Sequence, residues 1–123
     1  MKTFIIIGAI NAFLAVALGA FGAHGLEGKI SDKYLANWQT AVQYQMFHAT
    51  GLILLGLIGR NIAPSSLLST SGWLMLIGII LFSGSLFILS VTGISKLGMI
   101  TPLGGVAFLT SWVLLIIFAW KHL

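Results

Sequence analysis

"NWQTAVQYQMFHATGLILLGLIG", residues 37–59, passes from glutamines, a tyrosine and a histidine straight into leucine, isoleucine and glycine. A helix that crosses a bilayer needs about 20 mostly apolar residues, and the second part of this stretch reads as one. Its polar residues are then either membrane interface or hydrogen-bonding groups held at depth. The whole chain shares this character. Its 123 residues are 59% hydrophobic and 7% charged, with a mean hydropathy of +1.09, whereas soluble domains carry about 25% charged residues. An integral membrane protein is expected, forming a single membrane domain over residues 1–123.

Three further segments have the required length and apolarity, so spans are expected at about residues 3–23, 41–59, 72–91 and 100–120. The fold class is therefore an all-α membrane protein, a four-transmembrane-helix bundle. With four spans both chain ends lie on one side. Trp73 opens the third span and Trp120 closes the fourth, which puts both at one interface, while Trp38 marks the other. Trp112 lies nearer mid-membrane and must pack on a neighbour or face lipid. The first span also resembles a signal peptide in its lysine, apolar run and small residues. Its apolar run is long for that role and contains Asn11, so it is read as a true span.

The six Lys and Arg residues are scattered, so no basic patch forms and nucleic acid is not an expected partner. Lys2, Arg60 and Lys121 fall on the terminal side and Lys29, Lys33 and Lys96 on the other, a tie for the positive-inside rule. Glu27 and Asp32 neutralise the first loop, which tips the expected orientation slightly toward cytoplasmic termini in a cell membrane.

Ahead of the second span, Tyr34, Leu35, Trp38, Ala41 and Val42 repeat at the spacing of one helix face. Ser31 is a suitable N-cap, and Asp32 in the first turn complements the helix dipole. An amphipathic interfacial helix over about residues 31–40, continuing into span two, is expected.

Gln45 and His48 then fall inside the membrane, at a depth shared with Asn11, Ser83, Ser85 and Thr110. Two readings of this polar layer stand. In one, the side chains are interhelical hydrogen-bonding glue; in the other, His48 is a proton carrier or ligand contact with Tyr44 or Asn11 as its partner. The first is favoured, because no span contains a carboxylate. Gly8, Ala12, Ala15, Gly19 and Gly22 recur at 4-3-4-3 spacing, a period that lets another helix, in this chain or a second copy, approach closely. Ser83 and Ser85 in span three, and Gly104 and Gly105 in span four, extend the set of small packing residues, while Pro102 sits in a first turn that tolerates it.

His24 and Glu27, three residues apart at the exit of span one, offer an interfacial acid–base pair or two metal donors. A metal site needs three or four converging donors, so neither a metal nor a cofactor is expected. Pairing of His24 and Glu27 with Lys33 or Gln39 is the favoured role.

"GAFGAHGL", "WQTAVQYQMFHA", "FSGSL" and "ITPLGG", in this order, resemble the YgdD/YwdK family of small bacterial membrane proteins, which has a small eukaryotic transmembrane relative. The matching positions are Gly22, Ala23, His24, Gly25, Trp38, Ala41, Tyr44, Gln45, His48, Thr101, Pro102 and Gly105. The resemblance implies a four-span inner-membrane protein of unknown function and supplies no catalytic residues. Three functional classes follow. The leading one is a non-catalytic accessory, assembly or scaffold component, a homo-oligomer or a member of a larger membrane complex, with the lipid bilayer as its solvent. A small oligomeric transporter or channel centred on His48 comes second. An interfacial lipid-acting enzyme using His24 and Glu27 comes last, since no nucleophile is paired with them by spacing.

Overall fold

Ser31 starts the longest helix of the molecule. Its Oγ accepts the Tyr34 N–H at 3.2 Å, which satisfies one of the free donors of the first turn. In the computed structural model, which describes residues 1–123, that helix is α2, Asp32–Gly59, and it is unbroken for 28 residues. At about 1.5 Å per residue it is roughly 42 Å long, more than a hydrocarbon core of about 30 Å. The amphipathic segment expected over about residues 31–40 forms the first turns of α2 and runs on into the span without a break. Trp38 and Ala41 are buried on its inner face, while Asp32, Lys33, Gln39 and Gln43 are exposed.

Before it, α1 (Lys2–Phe21) ends in a π-helical turn over Gly22–Leu26. After it come α3 (Ser66–Gly78), a π-turn over Ile79–Ser83, and α4 (Gly84–Thr92), stacked end to end as one span. Gly93 adopts φ +70° and stops α4, as a residue without Cβ readily does. A 3₁₀ turn over Ser95–Met99 leads into α5, Thr101–His122, with Pro102 in its first turn. The chain is all helical, with four helical stretches long and apolar enough to cross a membrane.

The spans run up, down, up, down. Gly8 lies against Ala49 and Ile53, Gly19 against Val42, and Gly22 against Trp38, so α1 and α2 are antiparallel. Ser71 meets Ser111, and Ser85 meets Thr101, so α5 runs antiparallel to α3 and α4. Ser83 on the π-turn donates to the Ala41 carbonyl and ties the third span to α2. The core of the bundle is packed by Phe4, Leu52, Leu55, Leu68, Met75, Ile79, Phe108 and Phe118. Large apolar side chains such as Phe13, Val16, Leu109, Ile116 and Trp120 point outward, as lipid-facing surfaces do.

The small-residue face of α1 packs against α2 within the chain. Gly8, Ala15 and Gly22 are buried there, and Ala12 and Gly19 sit at its margin. Asn11 is buried in the same face. The face is thus occupied inside one molecule and is not available as a seam between copies.

Candidate functional site

The polar residues expected as one layer separate, and α2 carries two of them, Gln45 and His48, in neighbouring lanes. His48 leans toward α5 and Gln45 toward α1. Residues four apart share a helix face, so Tyr44 stands one turn from His48 and lies over the same groove.

His48 is 3% exposed. Its Nδ1 lies 2.8 Å from the Tyr44 carbonyl, and because a carbonyl only accepts, Nδ1 carries the proton. Its Nε2 then accepts the indole N–H of Trp112 at 3.0 Å. Both nitrogens are engaged, and the neutral imidazole is the form that suits both partners. The ring stacks on Phe108, with centroids 3.5 Å apart and planes 7° from parallel. Phe108 reaches this position because Gly78, on its other side, has no side chain: a Cβ there would strike the phenyl ring. Gly51 leaves room chiefly for Met75, whose Sδ lies 3.1 Å from where a Cβ would be, with the edge of Trp112 at van der Waals distance.

Helices α2 and α5 meet through these long side chains rather than backbone to backbone. A groove of about 690 Å³ is left between them, with Tyr44, Phe47, His48, Phe82, Phe108 and Trp112 among its lining residues. Tyr44 and Phe47 are exposed along it. Gly105 also lines it, and Gly104 packs tightly on the backbone of Phe82.

On the other lane, Gln45 Nε2 donates to Asn11 Oδ1 at 3.2 Å, and Asn11 Nδ2 donates to the Ile7 carbonyl at 3.0 Å. Gln45 and Asn11 line a second cavity, of about 460 Å³, between α1 and the third span. Asn11 pairs with Gln45 and not with His48.

The serines act separately. Ser71 and Ser111 each donate to the other's carbonyl, at 2.8 and 2.7 Å. Each hydroxyl has a single hydrogen, so their 3.0 Å separation is proximity and not a third bond. Ser85 lies 2.6 Å from the Thr101 hydroxyl. Thr110 faces outward and bonds back to Val106 of its own helix.

His24, Glu27 and Gln39 are exposed at the loop end of the bundle, and the expected pairing of His24 and Glu27 with Lys33 or Gln39 does not form. Hydration at the interface makes such exposed pairs worth little. No three His, Asp or Glu side chains converge. Sequence reasoning missed Trp112 as the partner of His48, the Ser71–Ser111 clasp and both π-turns. The first had a signal: an indole N–H at mid-membrane needs an acceptor, and His48 is the acceptor on the facing helix.

These features define a four-span helical membrane protein in which His48, Gln45, Ser71 and Ser83 pair across helix contacts. The chain belongs to the DUF423 family, described as "Protein of unknown function (DUF423)", whose model matches residues 18–105. It is 62% identical over 123 residues to the UPF0382 membrane protein YwdK of Bacillus subtilis, covering 100% of both chains. It is 53% identical over 121 residues to a UPF0382 membrane protein of Staphylococcus aureus, covering 98% of each. A UPF0382 membrane protein of Staphylococcus epidermidis is 52% identical over 117 residues, 95% of this chain and 94% of the relative. No solved structure matches the chain.

Proposed function

We propose that the protein is a non-catalytic membrane component, acting by contact with a second copy of itself or with a partner protein inside the bilayer. One observation carries this reading: both ring nitrogens of His48 are spent within the molecule, on Tyr44 and Trp112. A histidine that relays protons or holds a ligand needs a nitrogen free for it. This one instead fastens α5 to α2. The segments between spans, such as residues 60–65 and 93–94, are turns too short to form a recognition domain, which directs recognition into the membrane.

Purification in mild detergent with light scattering, combined with cross-linking in native membranes, tests the reading. The expected result is a species heavier than the 13.1 kDa chain, as a homo-oligomer or with a reproducible partner. A strictly monomeric protein whose reconstituted vesicles show a solute flux that His48→Ala abolishes would instead establish the transporter reading.

A further inference from the structure

Asn11 and Gln45 form a relay whose polarity is set at one end. The Ile7 carbonyl can only accept, so the Asn11 amide must turn its NH₂ toward it. Asn11 Oδ1 is then the acceptor for Gln45 Nε2. This ordering leaves Gln45 Oε1 pointing away from Asn11 as an acceptor. It is the one buried side-chain oxygen or nitrogen in the molecule without a hydrogen-bond partner, on a side chain only 5% exposed. In hydrocarbon, where no solvent can compensate, an orphaned polar atom is costly.

Gln45 also lines the cavity of about 460 Å³ between α1 and the third span. Leu18, Ile80, Phe87 and Ile88 give that cavity an apolar lining, and Ile80 and Ile88 are exposed on its lipid side. The serines in its wall, Ser83 and Ser85, donate to backbone carbonyls. What is missing at this place is a hydrogen-bond donor carried on an apolar body.

We propose that this cavity binds an uncharged, membrane-soluble alcohol or phenol, whose hydroxyl donates to Gln45 Oε1 while its apolar part lies against Ile80, Phe87 and Ile88. The relay makes the site selective for donors over acceptors, because reversing the Gln45 amide would place its oxygen against Asn11 Oδ1. A ligand enters from the lipid. Oε1 itself is buried, so the hydroxyl reaches it by displacing side chains of the cavity wall while α1 stays on α2 and the Asn11–Gln45 bond is kept.

The test uses full-length protein in lipid nanodiscs with two probes of nearly equal shape, p-hexylphenol and its methyl ether p-hexylanisole. An intramembrane hydrogen bond of about 0.6 to 2 kcal/mol makes the phenol bind roughly three- to thirty-fold more tightly at equal concentration in the bilayer. Gln45→Leu removes the acceptor and should abolish that preference. Because Gln45→Leu also disturbs the contact with Asn11, a second variant, Ile80→Trp, fills the cavity from its lipid side and should abolish binding of both probes in a protein that keeps its melting temperature. Equal binding of phenol and ether overturns the proposal. So does phenol binding that survives both variants, or a structure solved with the phenol present that shows only a water on Oε1. Each result is independent of oligomeric mass and cross-linking, so this inference and the proposed contact function stand or fall separately.

Discussion

Trp112 on α5 donates its indole N–H to Nε2 of His48 on α2 across 3.0 Å, and this bond crosses a pair of helices whose backbones stay apart. The contact is specific because Nδ1 is already committed to the Tyr44 carbonyl. Trp112→Phe keeps most of the ring but leaves Nε2 without its donor, at a cost of about 1–2 kcal/mol. His48→Phe combined with Trp112→Phe removes both polar partners and should recover part of that loss. Unfolding of Trp112→Phe, His48→Phe and the double variant in mixed detergent micelles measures the coupling; a coupling of zero would remove this bond from the forces holding α5.

Adjacent glycines on α5 should respond in opposite senses. A Cβ on Gly104 would sit 2.8 Å from Phe82 Cα, a backbone atom that cannot give way, so Gly104→Ala should destabilise by about 1–3 kcal/mol. A Cβ on Gly105 would meet only Phe82 Cδ2, at 3.9 Å. Gly105→Ala should therefore be neutral, or gain up to about 1 kcal/mol from helix propensity. Melting temperatures of the two variants, side by side, decide whether the Ile79–Ser83 π-turn and α5 cross where described.

Ser71 and Ser111 form a reciprocal clasp, so their contributions should not add. Each alanine substitution alone should cost about 0.6–1.7 kcal/mol. The double substitution should differ measurably from the sum of the two, since each residue supplies both a donor and an acceptor to the same contact. Strict additivity in a double-mutant cycle would contradict the clasp.

The chain has no cysteine, so single cysteines report topology cleanly. Asn61→Cys and Leu123→Cys should be labelled by an impermeant maleimide from one side of sealed vesicles, and Lys29→Cys and Lys96→Cys from the other. Labelling of Asn61→Cys and Leu123→Cys from opposite sides would break the four-span arrangement.

The architecture was legible because span length and apolarity are properties of composition in a window, and α1, α2, the α3–α4 span and α5 each satisfy them without reference to their neighbours. The period in Gly8, Ala15 and Gly22 located a close-packed helix face for the same reason. Pairing was less legible. Whether Asn11 meets Gln45 or His48 depends on how α1 is rotated against α2, and a rotation of a few tens of degrees changes the partner without altering the pattern. Trp112 showed a need for an acceptor but not which helix would supply it. His24 and Glu27 were close in sequence, yet water at the membrane surface competes for both, and proximity alone does not pair them.

The π-turn over Ile79–Ser83 has a mechanical consequence. Gly84 N–H bonds to the carbonyl of Ile79, five residues back, so the two halves of the third span are out of phase by about one residue, near 100° of screw. Tightening that loop into regular α-helix would turn the Ser85 end against the Ser71 end like a twisted rod. The hydroxyl link from Ser85 to Thr101 would then be wrung apart while the Ser71–Ser111 end stayed anchored.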